Sequence, residues 1–212
     1  AAALNDKILE MRSLKDEEEI AAIRKAQSIT DAAFLEILDF IKPGKTEKEV
    51  AAYLEYCMRR LGADGLAFET IAAGGPNSAK PHAVPGDRPL RQGDFFTMDY
   101  GAYWGGYCSD MTRTFFCETA DPDYAAIHDL VRSANEKAES LIRPGVRFCD
   151  LDKAARDVIS EAGYGEYFTH RLGHSIGMQA HEAGDVSQGN SAKVQEGMTF
   201  SALYARVRCE EA

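Results

Sequence analysis

The chain has 212 residues, 45% of them apolar, enough for one large domain or two small ones with a substantial core. Its 24 Lys and Arg against 34 Asp and Glu give a formal charge of −10, which disfavours polyphosphate partners, so nucleic acid and anionic membrane surfaces are excluded as first readings. Five cysteines (Cys57, Cys108, Cys117, Cys149, Cys209) are an odd number without a C-x-x-C pair, which argues against a disulfide framework or a zinc ribbon and for reduced thiols in a cytoplasm.

Ala1–Glu10 has neither a basic start nor a sustained apolar run, and no window reaches the length of a bilayer span. Asp16 with Glu19 three residues later signals a helix start. Ile20, Ile23, Ile29, Leu35 and Leu38 then recur at roughly helical spacing, which predicts one long helix up to Pro43-Gly44. Thr46 with Glu49 forms a second capping box, and Val50, Leu54, Met58 and Leu61 make the apolar stripe of a shorter helix that ends at Gly62. Leu66–Ala73 reads as a strand. The Gly-, Pro-, Asn- and Ser-rich stretch from Gly74 to Gly93 reads as a long loop, a feature that is usually functional in a compact domain. Phe95–Tyr103 and Tyr107–Phe116 are strand-like runs around Trp104-Gly105-Gly106, the signature of a hairpin. Helical patterning returns from Asp123 to Arg143 and again from about Asp150 to Ala162.

This order of events is a repeat. Ile41-Lys42-Pro43-Gly44 recurs as Ile142-Arg143-Pro144-Gly145, 101 positions on, counted from 41 to 142. The same shift carries Val50 to Leu151, Met58 to Ile159 and Gly62 to Gly163, so the core stripe and the helix end stay in register. Two such units would pack about a pseudo-twofold axis with a site between them.

Asp99 and Asp110 are related by the hairpin. A Trp104-Gly105 turn sets them directly opposite one another; a Gly105-Gly106 turn sets Asp110 opposite Gly101 and diagonal to Asp99. Both two-residue turns put the carboxylates on one face. Two carboxylates so close on an apolar hairpin resist ionisation unless a positive charge lies between them, and a divalent metal is the economical choice. Taken alone, strand aspartates beside a turn are commonly bland surface residues. Of the five histidines, His82, His174 and His181 lie in Gly- and Pro-punctuated segments rather than on apolar helix faces, which favours placement at a site. An imidazole can join carboxylates around a borderline metal. His128, on a predicted helix, keeps the structural reading, and His170 stays unassigned.

Several ordered blocks together resemble the pita-bread peptidases of the creatinase/aminopeptidase superfamily: Gly75-Pro76-Asn77-Ser78-Ala79-Lys80-Pro81-His82, Met98-Asp99-Tyr100-Gly101, Tyr107-Cys108-Ser109-Asp110-Met111-Thr112-Arg113-Thr114, Thr169-His170-Arg171-Leu172-Gly173-His174-Ser175-Ile176-Gly177, and His181-Glu182. The likeness runs from about Met11 to Glu210 and is greater to Xaa-Pro aminopeptidases and Xaa-Pro dipeptidases (prolidases) than to methionine aminopeptidases. It implies an α+β pita-bread fold, two pseudo-twofold-related halves of helices packed on a curved, mainly antiparallel sheet. Residues 1–212 would be one catalytic domain, without the family's N-terminal domain and C-terminal tail.

The resemblance further implies that Asp99, Asp110, His174 and Glu210 bind two divalent metal ions, manganese or cobalt ahead of zinc or iron, with Asp110 and Glu210 bridging them. His82 and His181 would face a short proline-containing peptide. Catalysis would use a metal-bridging hydroxide on the Xaa-Pro bond. A soluble cytoplasmic enzyme, homodimeric like many relatives, completes the expectation.

One departure stands out. Gly197-Met198-Thr199-Phe200-Ser201 matches the strand that leads to the family's fifth ligand, a glutamate, but Leu203 occupies that place. Val207-Arg208-Cys209-Glu210 then follows sooner than the family pattern leads one to expect, as though a stretch between Ser201 and Glu210 were missing. Two other readings stand beside the peptidase: a creatinase-like, metal-free hydrolase, after the creatinase branch of the fold, and a non-catalytic pita-bread binding module, for which Leu203 is the best evidence.

Overall fold

The computed structural model describes residues 2–202, with the side chains at positions 2, 3 and 6 outside that description. The chain divides into two compact units. One takes the residues up to 21 together with those from 127 onward, and the other takes residues 22–126.

In the unit of residues 22–126, helix α2 (Glu17–Ile37) and helix α3 (Glu47–Arg60) cover two small sheets. Both expected capping boxes form. Asp16 Oδ1 accepts from the Glu19 amide at 2.9 Å while Glu19 Oε2 accepts from the Asp16 amide at 2.8 Å, and Thr46 and Glu49 make the same exchange at 3.2 and 2.8 Å. Helix α2 stops at Ile37, short of Pro43. The chain turns there, with the Phe40 and Ile41 amides both donating to the Ile37 carbonyl, and this lets the Phe40 ring stack on Tyr53 at 4.3 Å.

The strand expected over Leu66–Ala73 is two strands in different sheets: β1 (Gly65–Leu66) and β2 (Ile71–Gly74). The hairpin is likewise divided into β3 (Phe95–Tyr100), β4 (Ala102–Trp104), β5 (Tyr107–Cys108) and β6 (Met111–Phe116). The orders are β1-β4-β5 and β2-β3-β6, with every pairing antiparallel. The break lies at Gly101, where a β-carbon would meet the Ser109 carbonyl oxygen at 2.0 Å. Ser109 Oγ accepts from the Ala102 amide at 2.8 Å and meets Thr30 Oγ1 at 2.5 Å, so the crossing is held in a buried polar knot. Gly105 and Gly106, with φ of 58° and 90°, make the two-residue turn, a conformation that glycine adopts without penalty.

Phe96, Met98 and Tyr100 alternate onto the face packed by Ile29, Ile37, Leu54 and Met58, and all belong to one buried cluster. Burial pushes the Tyr100 hydroxyl pKa well above its ordinary value, and among the described residues that hydroxyl has no hydrogen-bond partner.

The other unit contains α1 (Ala2–Ser13), most of α4 (Pro122–Glu139), α5 (Phe148–Glu161), β7 (Gly173–His174) and β8 (Asp185–Val186). Its own core gathers Ala134, Phe148, Leu151, Ile159, Phe168, Leu172 and Val186. Helix α1 was not expected. Its Leu4, Ile8 and Met11 are exposed, so no stripe buried in the core marks it.

The internal repeat is written in the backbone hydrogen bonds. The Gly44 amide donates to the Leu90 carbonyl at 2.9 Å, as Gly145 does to Val194 at 2.8 Å; Leu90 returns a bond to Lys45 at 2.8 Å, as Val194 does to Val146 at 2.8 Å. Lys48 to Gly86 has its counterpart in Cys149 to Asn190, and Ala63 to Met58 in Tyr164 to Ile159. Helices α3 and α5 have 14 residues each, and Gly44 and Gly145 share a φ of 92°. Beyond the loop the second copy runs three residues longer, so that Gly93 (φ 83°) corresponds to Gly197 (φ 87°).

Candidate functional site

In the unit of residues 22–126, the β3-β6 ladder pairs Asp99 with Thr112 and Tyr100 with Met111, and the β4-β5 ladder pairs Tyr103 with Cys108. Both ladders share the register of a Gly105-Gly106 turn. Carried through the break at Gly101, that register would set Asp110 across from Gly101 and diagonal to Asp99. Because side chains alternate along β3, Asp99 occupies the face opposite Phe96, Met98 and Tyr100. Threonines surround it there. Thr97 Oγ1 and Thr114 Oγ1 are 3.1 Å apart, and Thr112, across from Asp99, has a buried hydroxyl with no hydrogen-bond partner among the described residues.

His82 is exposed, in the loop that follows a single 3-10 turn (Gly75–Ala79). Arg88 closes a two-bond ion pair on Asp94 at 2.7 and 2.9 Å against the start of that loop. A β-carbon at Gly75 would meet Arg88 Nη2 at 2.8 Å, which explains the glycine. Burial raises the Asp94 carboxyl pKa, but bonds from Arg88 and the Arg91 amide outweigh it and hold the group below its ordinary value.

In the other unit, His174 ends β7 and His181 follows a short loop. The structure brings these two together: their rings stack with centroids 4.0 Å apart and planes 26° from parallel. His174 Nδ1 lies 3.2 Å from the Ser175 carbonyl, which can only accept, so in this bond Nδ1 is the donor. The backbone of His174 is clamped to Ser201, with the Ser201 amide donating to the His174 carbonyl at 2.8 Å. A β-carbon at Gly173 would meet the Ser201 carbonyl at 1.8 Å.

Buried carboxylates that sequence reasoning passed over hold these segments. Asp152 accepts from the Leu172 amide at 3.0 Å and from Arg156 Nε at 2.9 Å, and Arg156 in turn donates to the Phe168 and His170 carbonyls at 2.7 and 2.9 Å. Glu182 accepts from Arg12 Nη2 at 2.7 Å, Lys15 Nζ at 2.9 Å and the Met178 amide at 2.9 Å. His170 Nδ1 meets the Arg171 carbonyl at 2.8 Å, and His128 lies 3.6 Å from Asp129 on α4.

Glu210 and Leu203 lie outside the described residues, as does the stretch thought to be short. Among the described residues, no three His, Cys, Asp or Glu side chains are gathered into a metal-holding group. In kind, the Asp99 and Asp110 carboxylates of one unit and the His174 imidazole of the other are each donors that suit a divalent ion.

Comparison with known proteins decides the family. Residues 21–203 match Metallopeptidase family M24. The chain belongs to that family. An uncharacterized peptidase of Staphylococcus epidermidis is 39% identical over 198 residues, covering 93% of this chain and 56% of the relative. Among solved structures, the X-Pro aminopeptidase from Thermotoga maritima superposes with a TM-score of 0.90 at 42% identity, over 92% of this chain and 55% of that one. The prolidase from Pyrococcus furiosus gives 0.90 at 40%, over 92% and 58%. The chain thus spans little more than half the length of these M24 relatives. The mixed helix-and-sheet, pita-bread architecture expected from the sequence is theirs. No helix among the described residues is long and apolar enough to cross a membrane.

Proposed function

We propose that the chain is the catalytic region of a metal-dependent exopeptidase that cleaves the bond between an N-terminal residue and proline. The reading is carried by Asp99, which the β3-β6 register sets on the face opposite Phe96, Met98 and Tyr100 in the hairpin that also carries Asp110, in an M24 chain whose solved neighbours are named X-Pro aminopeptidase and prolidase.

In this reading Asp99, Asp110, His174 and Glu210 hold two divalent ions, manganese or cobalt ahead of zinc or iron. When bound, such ions supply Lewis acidity, which makes water nucleophilic near neutral pH and compensates charge on the scissile carbonyl oxygen. The side chains do the rest. With Nδ1 donating to the Ser175 carbonyl, Nε2 is the His174 nitrogen that would hold an ion. His82 and His181 face the peptide, one donating to the carbonyl oxygen and the other delivering a proton to the departing nitrogen. That nitrogen belongs to a tertiary amide without an N–H, so proline leaves as an amine only with a proton from the enzyme. The substrate is a short proline-containing peptide, and a soluble, cytoplasmic homodimer belongs to the same proposal.

The test is a metal-stripped protein reconstituted separately with manganese, cobalt, zinc or iron and assayed on Gly-Pro and on a Gly-Pro-Yaa tripeptide. Cleavage of the first defines a dipeptidase, and of the tripeptide alone an aminopeptidase. No cleavage of either with any metal overturns the reading.

A second reading rests on the repeat. Counting from Gly93 to Asp99 and equally from Gly197 reaches Leu203, so an apolar residue stands at the counterpart of a proposed ligand. A chain that binds peptides with a weakened metal site, without turnover, would show fewer than two equivalents of metal.

A further inference from the structure

The strongest unassigned feature is a buried carboxylate that, among the described residues, has no cation bonded to it. Glu47, the first residue of α3, is 1% exposed. Three neutral N–H donors converge on it. The Gly74 amide donates to Oε1 at 2.7 Å, and the Gly86 amide and Asn77 Nδ2 each donate to Oε2 at 2.9 Å. Gly74 and Gly86 are the two ends of the loop that carries His82, and Asn77 lies inside it. The carboxylate thus closes the loop at its neck, where the Glu47 amide also donates to the Arg88 carbonyl at 3.3 Å and the Lys48 amide to Gly86 at 3.1 Å. A first-turn position suits a buried negative charge, because the helix N-terminus faces it with positive dipole. Between Gly74 and Gly86 the one buried apolar side chain is Ala83, beside His82, so the neck does the ordering that a core would otherwise do.

We infer that Glu47 is a positioning residue for His82: by tying Gly74, Asn77 and Gly86 to one buried carboxylate it fixes where that imidazole stands. The inference rests on the substrate-facing role given to His82 above. A neutral amide could not replace it, since the nitrogen of Gln would point a donor at the donors of Gly86 and Asn77.

The test uses Asn77→Ala, Glu47→Gln, His82→Ala and the double variant N77A/H82A in the intact chain. Asn77→Ala deletes one of three donors to the carboxylate, with the longer 3.4 Å bond from Asn77 Nδ2 to the Val84 carbonyl, and leaves the Gly74 and Gly86 amide bonds, which keeps it usable if Glu47→Gln fails to fold. In imidazole NMR, with the His82 signal assigned by its loss in His82→Ala, Asn77→Ala should shift and broaden that signal. Amide exchange across 74–86 should speed up by about tenfold, as expected for one hydrogen bond lost from a local opening equilibrium. An unmoved His82 signal with unchanged exchange overturns the inference whether or not the chain proves to be a peptidase. In the metal-loaded enzyme, kcat on the Xaa-Pro substrate should fall in Asn77→Ala and in His82→Ala with metal content unchanged, and N77A/H82A should be no slower than His82→Ala alone. Losses that multiply in the double variant mean independent roles and also overturn the inference. Absent turnover in the unmodified protein, with the NMR response intact, faults the peptidase reading and leaves the positioning role standing.

Discussion

Lys15 Nζ lies 2.9 Å from Glu182 Oε2, and the two side chains are 2% and 5% exposed. This nearly sealed pair, with Arg12 on the other carboxylate oxygen, joins the segment after α1 to the loop of His181. Removing one member of such a pair leaves an unpaired buried charge, which costs about 3–5 kcal/mol. Glu182→Ala should lower unfolding free energy by about that amount in urea titration, well beyond the loss in Lys153→Ala, whose partner Asp157 sits with it on an exposed helix face.

The same group predicts an acid limb. Burial pushes the Glu182 carboxyl pKa up, yet hydrogen bonds from Lys15 and Arg12 outweigh this and bring it below 4.5. A carboxyl depressed on folding stabilises the protein above its unfolded value, and that contribution drains away as pH falls through the lower folded value. The wild-type chain should therefore lose stability below about pH 4.5 more steeply than Glu182→Gln, as read from the slope of unfolding free energy against pH. Parallel slopes would contradict the assignment.

Gly173→Ala places a methyl where the Ser201 carbonyl stands, 1.8 Å away, and backbone cannot yield as a side-chain end can. The strand of His174 must shift. Overpacking of this kind costs about 1–3 kcal/mol, and the displaced imidazole should weaken metal binding, measurable by calorimetry alongside thermal unfolding.

Asp99→Asn and Asp110→Asn each remove a formal charge from the hairpin. Each should reduce metal uptake measured by elemental analysis and lower turnover by at least about 100-fold, given what charge stabilisation by such ions contributes. Thr112→Val, across from Asp99, deletes a buried hydroxyl with no hydrogen-bond partner among the described residues and should raise apo stability by about 1 kcal/mol.

Leu203→Glu tests the departure from the family directly. If the internal repeat correctly pairs this position with Asp99, an added carboxylate should bring the second metal equivalent up and tighten its binding by about tenfold or more, since affinity follows the charge count of the ligands. No change in stoichiometry or affinity would detach Leu203 from the metal site.

The sequence by itself determined what depends on neighbours along the chain. Capping boxes at Asp16 and Thr46, the glycine stops at Gly62 and Gly163 and the 101-residue repeat are local patterns. So is the register of the hairpin around Gly105 and Gly106, which follows from strand alternation and a two-residue turn. The tertiary structure decided what depends on partners brought from afar. Gly101 breaks the hairpin because a carbonyl eight residues away crowds its Cα, and α2 ends early so that Phe40 reaches Tyr53. The buried carboxylates are the clearest case. Glu47 finds the Gly74 amide 27 residues on, and Glu182 finds Arg12 across 170, so each reads in sequence as an ordinary surface acid. A charge becomes part of the interior only when folding supplies the donors that replace its water, and no local pattern records where those donors come from.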